Sequence, residues 1–194
     1  NNRGLVLMKS FDLINWERTN IRFNELSAAW QEIGCAWAPE TIYDETTGRI
    51  MIYLTMRHRN EPNKLYYCYV NDDFNKIETL PKPLFQYPDE NKSAIDGDIT
   101  KFGDKYILSY VAHDVNGGIK MAYSSSPTGP WHFDTRWIDF EPKACEAPHV
   151  FKRIGENKYV LMYDVYSINP HNFGFIETSD FDTFNNLGRF NEGV

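Results

Sequence analysis

The 194 residues carry a net charge of −7 and no block of lysine or arginine, which argues against nucleic acid as a partner. At 42% hydrophobic and 15% aromatic they lack the low-hydrophobicity, high-charge signature of disorder and can furnish one good core. No apolar run approaches the ~18 residues of a membrane span. Cys35, Cys68 and Cys145 are odd in number and follow no metal spacing, so neither a disulfide framework nor a zinc site is expected.

In chain order, "NNRGLVLMKS" enters a strand almost at once, and "SFDLINW" (10–16) follows as a turn. Three longer stretches then line up with one another: "WAPETIYDETTGRIMIYLTM" (37–56), "AIDGDITKFGDKYILSYVAHD" (94–114) and "ACEAPHVFKRIGENKYVLMYD" (144–164). Each reads as a strand, a glycine-containing turn and a second strand ending in aromatic and aliphatic residues. In the last, Val150, Lys152 and Ile154 alternate on one strand and Tyr159, Leu161 and Tyr163 on the next. Anchored on Ile42, Ile99 and Val150, the units are spaced by 57 and 51 residues. A third strand follows each ("KLYYCYV", "IKMAYSS", "FGFIETS"), and then a polar turn with an aromatic inside ("NDDFNKIETL", "SPTGPWHFD", "SDFDTFNNLG"). "GLVLMKSFDLINWE" (4–17) matches the closing half of such a unit.

No segment sustains a 3.6-residue apolar period, and four-stranded units recurring at this spacing are the mark of a β-propeller. An all-β sandwich also spaces its strands with regular turns. It gives no reason, however, for each unit to place its most unusual residues at the head of its first strand. We therefore expect successive blades over 36–81, 94–140 and 144–190, preceded by the end of another, in one domain, 1–194. Both termini read as cut from something longer, so the lack of a leader says nothing about location.

The three strand heads, "WAPE", "IDGD" and "CEAPH", bring Glu40, Asp96, Asp98 and Glu146 toward one axis, with His149 and Trp37 beside them. Carboxylates crowded in a partly dry channel repel one another, and burial raises at least one pKa. A protonated acid near an ionised one is the equipment of glycoside hydrolysis, and Trp37 offers a flat face to sugar C–H groups. Any one of these carboxylates is better explained as a turn cap or an ion-pair partner; Asp96 and Glu146 together, at equivalent repeat positions, are not.

Together these motifs resemble glycoside hydrolase family 43, five-bladed propellers acting on arabinose- and xylose-containing polysaccharides. "WAPE" with its Gly48-to-Tyr53 hairpin, "AIDGDITKFGDKYIL" and "CEAPHVFKR…KYVLMYD" follow the order of the family's "WAP", "IDP" and "EGPH" blades. The resemblance spans essentially all of the chain. It implies that Glu146 is the general acid and Asp96 its pKa modulator, with Asp98 the fallback for that role and Trp37, His149 and His171 as sugar contacts. Gly97 stands where the family usually has proline, and Ala147 where it usually has glycine. The family's general base is an Asp near the start of its first blade, before the point where this sequence begins, and neither Glu40 nor Asp114 is promoted to replace it.

The resemblance further implies an inverting hydrolase of α-L-arabinofuranosyl or β-D-xylosyl linkages in plant cell-wall polysaccharides. An oligo- or polysaccharide is the partner, neither nucleic acid nor membrane is involved, and secretion or a periplasmic location is favoured. No cofactor or metal site is expected; a structural calcium in the channel is implied by family resemblance alone. The alternative is a non-catalytic carbohydrate-binding propeller, or an inactive fragment without the base, and open blade edges would then invite self-association. Glu146 has no basic neighbour closer than Lys143, as suits a general acid, since a salt bridge would keep it ionised. His113 and Asp114 read as turn residues, and Arg57 as part of a solvated loop.

Overall fold

The computed structural model describes residues 2–113, 117–141 and 144–190. A two-stranded pair, β1 (Gly4–Lys9) and β2 (Glu17–Arg22), comes first. Three four-stranded antiparallel sheets follow, each ordered as in the sequence. The first holds β3 (Ile33–Asp44), β4 (Arg49–His58), β5 (Lys64–Tyr69) and β6 (Lys82–Phe85). The second holds β7 (Ala94–Phe102), β8 (Lys105–Ala112), β9 (Gly118–Ser124) and β10 (His132–Phe133). The third holds β11 (Glu146–Lys152), β12 (Tyr159–Val165), β13 (Asn172–Thr178) and β14 (Asn185–Arg189). These are the expected blades, with ends displaced by a few residues.

Strand alternation explains why the middle strands are apolar throughout. In β4, Ile52, Leu54 and Met56 join a core shared with Leu7, Ile21, Phe23 and Trp30, while Met51 and Tyr53 point the other way. Met51 and Tyr53 pack there with Ile99, Leu108 and Tyr110 of the second blade. In β8, Ile107 crosses to a third core with Met121, Val150, Leu161, Tyr163 and Ile176. The first two blades are thus buried on both faces by their neighbours, and a period-2 pattern reads there as a continuous apolar run.

The turn after each third strand plugs the core on the preceding side. Phe181 is buried against Phe102 and Tyr159 at ring distances of 5.1 and 4.9 Å. Trp131 and Phe74 pack less completely at the corresponding places. Leu13, which shares the left-handed backbone and turn hydrogen bonds of Phe181, is 79% exposed, and Phe11 and Ile14 beside it are exposed as well. One detail of the sequence reading fails: Ile154 is fully exposed in the β11–β12 turn and Lys152 is exposed, so the alternation that Val150 begins stops there.

Candidate active site

The heads of β3, β7 and β11 are interrupted in the same way. In each, two residues lie against a single one on the next strand: Ala38 and Pro39 against Leu54, Asp96 and Gly97 against Tyr110, Ala147 and Pro148 against Tyr163. The first residue of each bulge is left-handed, with φ of 45° at Ala38, 52° at Asp96 and 50° at Ala147. None is glycine, so each costs about 1–2 kcal/mol. Strain of this kind gathers where function over-determines the backbone.

Two N–H groups at a bulge turn to the preceding blade. Asp96 donates to Thr55 Oγ1 at 2.9 Å and Ile99 to the Tyr53 hydroxyl at 2.9 Å. One blade further on, Ala147 donates to Asp96 Oδ2 at 3.3 Å and Val150 to Asp98 Oδ2 at 3.0 Å. The carboxylates of the second blade thus help to fasten the third.

The bulges also fix which positions correspond. Trp37, Ile95 and Glu146 precede the bulge, Ala38, Asp96 and Ala147 open it, and Glu40, Asp98 and His149 follow it. Asp96 and Glu146 are therefore not equivalent, as the sequence suggested, but one position apart. The strand anchor moves with them, since Thr41 rather than Ile42 matches Ile99 and Val150. Nor does simple alternation relate Asp98 to Asp96, because the bulge lies between them; both carboxylates nonetheless reach β11.

Glu146 is half-buried, less enclosed than a deep acid, and among the described residues has no lysine or arginine partner. Desolvation, then the charge of Asp96, then that of Asp164 push its carboxyl above the ordinary range. Burial also raises Asp96, against the pull of the Ala147 N–H and of His113. A cavity of about 210 Å³ is lined by Ala38, Glu40, Asp96, Gly97, Ala147, Pro148 and His149, the bulge residues of all three blades. A larger one, about 830 Å³, lies between β1–β2 and the head of β3 and reaches Trp37, Ala38 and Pro39. The smaller is lined by two of the four carboxylates, Glu40 and Asp96; Glu146 and Asp98 are not among its lining residues.

Asp98 is buried and holds His149 Nδ1 at 3.2 Å, and this hydrogen bond raises the imidazole pKa. Burial, then Asp98, raises Glu40. Glu40, Asp98 and His149 present their polar atoms within 4.8 Å of one another, the kind of set that can hold a cation. Here Asp98 already accepts from His149 and from the Val150 N–H, so two of the three are bonded to each other and Glu40 is their neighbour through charge alone. Trp37 sits under the Arg57 guanidinium, 5.4 Å from its ring centre, which gives Arg57 a place beside the site rather than in a solvated loop. His171 is exposed ahead of β13 and bonds to none of these groups. His113 lies close enough to Asp96 to influence its charge, a place that its turn-like sequence context concealed; Asp114 and Lys143 lie outside the described residues.

No curated protein matches the sequence. Among solved structures, a thermostable family-43 glycoside hydrolase superposes with a TM-score of 0.65 at 13% identity, over 96% of this chain and 72% of the other. A native arabinanase of Bacillus subtilis gives 0.65 at 19% identity over 94% and 66%, and a fructofuranosidase of Schwanniomyces occidentalis gives 0.66 at 13% over 80% and 34%. The chain thus spans from about a third to nearly three quarters of the length of these enzymes. At such identities the likeness establishes the fold, part of a five-bladed β-propeller. The family model for glycoside hydrolase 43-related domains, described as "Probable glycosyl hydrolase domain", matches residues 1–192, and the chain belongs to that family.

Proposed function

We propose that the protein is an inverting glycosidase, with Glu146 as the general acid and Asp96 as the carboxylate that tunes it, acting on α-L-arabinofuranosyl or β-D-xylosyl linkages of plant polysaccharides. The observation that carries this reading is the pairing at the blade seam. Glu146 has no basic partner among the described residues, and its neighbour Ala147 donates its N–H to Asp96. The anionic Asp96 is thereby held beside a group that must keep its proton until the leaving oxygen accepts it. Inversion requires a base across the sugar, about 6.5–9.5 Å from the acid, to activate a water. In this reading the base is an aspartate near the start of the blade that β1 and β2 close, ahead of Asn1, and no cofactor is called for. Trp37 and His149 border the sugar; Asp98, bonded to His149, orients it.

The full-length protein should hydrolyse nitrophenyl arabinofuranoside or xyloside. Glu146→Gln should lower its rate by about 10²–10⁴-fold, more on poor leaving groups than on activated ones. Equal loss on both kinds of substrate would mean that Glu146 is not the proton donor. Oligosaccharide binding without turnover would favour a carbohydrate-binding propeller instead.

A further inference from the structure

We propose that Asp164 is a positioning residue for the Glu146 proton: a second carboxylate, set directly across the β11–β12 pair from the acid, that disfavours early loss of that proton. The inference rests on the hydrolase reading above. Glu146 and Asp164 are register partners at the last step of the ladder before the bulge. Side chains of such a pair stand on the same face, with Cβ atoms ~4.5–5.5 Å apart, and like charges so placed destabilise the strand pair.

The other blades show that the fold does not need this arrangement. At the same register position Trp37 faces Thr55 and Ile95 faces Val111, both neutral pairs. The repulsive pair occurs in the blade that holds the acid. Asp164 is half-buried and, among the described residues, makes no hydrogen bond or ion pair that would absorb its charge. The other groups facing Glu146 are Asp96 from β7, with His113 behind it, and the Tyr166 phenol from the segment after β12. Cys145, the residue before it, is a buried free thiol. None of these supplies a fixed cation next to the acid. Burial and Asp96 act on Glu146 first, and Asp164 adds to them in the same direction.

A structural role for Asp164 makes a different prediction. Its counterpart Thr55 accepts an N–H from the following blade, and Asp164 could serve as the same kind of acceptor. Asparagine would do that equally well while removing the charge. In the full-length protein, ¹³C NMR titration of the Glu146 carboxyl should therefore move to lower pH in Asp164→Asn. The alkaline limb of kcat/KM should move with it, giving a several-fold loss above the limb and none below it. Asp164→Thr, which copies the first blade, should behave the same way and serves if the asparagine variant folds poorly. A Glu146 titration unmoved in both variants overturns the proposal directly. A displaced titration in a protein that hydrolyses no glycoside overturns it through failure of the hydrolase reading, and the two failures are told apart by the NMR readout alone.

Discussion

Glu146 and Asp96 both hold their protons more tightly in the folded chain than carboxyl groups ordinarily do, chiefly because burial disfavours their charged forms. The consequence for stability has a definite sign. Between the ordinary carboxylate range and the raised folded values, the native state binds more protons than the unfolded one, so stability falls as pH rises through that window. Thermal melts across mildly acidic pH should show this decline, and the double variant Glu146→Gln, Asp96→Asn should flatten it. The isolation of Glu146 is legible in the sequence, because no basic residue flanks it more closely than Lys143. The place of Asp164 is not. Counting back from the turn, where Lys152 pairs with Tyr159, an unbroken ladder would set Val165 opposite Glu146. The bulge advances the register by one and brings Asp164 there instead. The offset between Asp96 and Glu146 was legible, because the two are one residue closer in sequence than Ile99 and Val150, which occupy matching places.

The bulge is the element that makes the site, and its backbone can be tested separately from its chemistry. Ala147 is left-handed, where a Cβ is costly and glycine is at ease. Ala147→Gly should be neutral or stabilising by up to about 1 kcal/mol, whereas Ala122→Gly, in the buried middle of β9, should cost at least about 0.5–1 kcal/mol. Urea unfolding of the two variants checks the contrast, and equal destabilisation would remove strain from the account. Gly97 has a reason of its own. A Cβ there would come within 2.5 Å of Leu65 Cδ1, a fully buried side chain of β5, so the space that a proline ring would need is already filled from the neighbouring blade. Gly97→Ala should accordingly destabilise by about 1–3 kcal/mol. The sequence shows the missing proline, but Leu65 lies 32 residues away and only the packing connects the two.

At the scale of the molecule, the repeat was readable because every blade opens with a hairpin of apolar strands around a glycine-containing turn. The outermost strands were not readable: β10 has two residues and β6 contains Pro83, so neither shows a periodic pattern. The β1–β2 end differs from the other three turns in exposing Phe11, Leu13 and Ile14 together. Apolar side chains gathered on one surface favour association. Residues 1–194 expressed alone should therefore sediment with a concentration-dependent mass, and replacing all three residues by serine should reduce that dependence. A monomer at every concentration would show that the patch is tolerated in water.

The seam between the second and third blades has one more effect. Glu146 and Asp96 are linked through backbone, by the bond from the Ala147 N–H to Asp96, and their spacing follows from how two sheets stack. Loops between the strands take no part in that bond. They can lengthen, shorten or change composition without moving the two groups relative to each other. On the proposed reading, which sugar is accepted and how firmly Glu146 holds its proton are therefore independently variable, and a propeller of this frame can change its diet while keeping its acid.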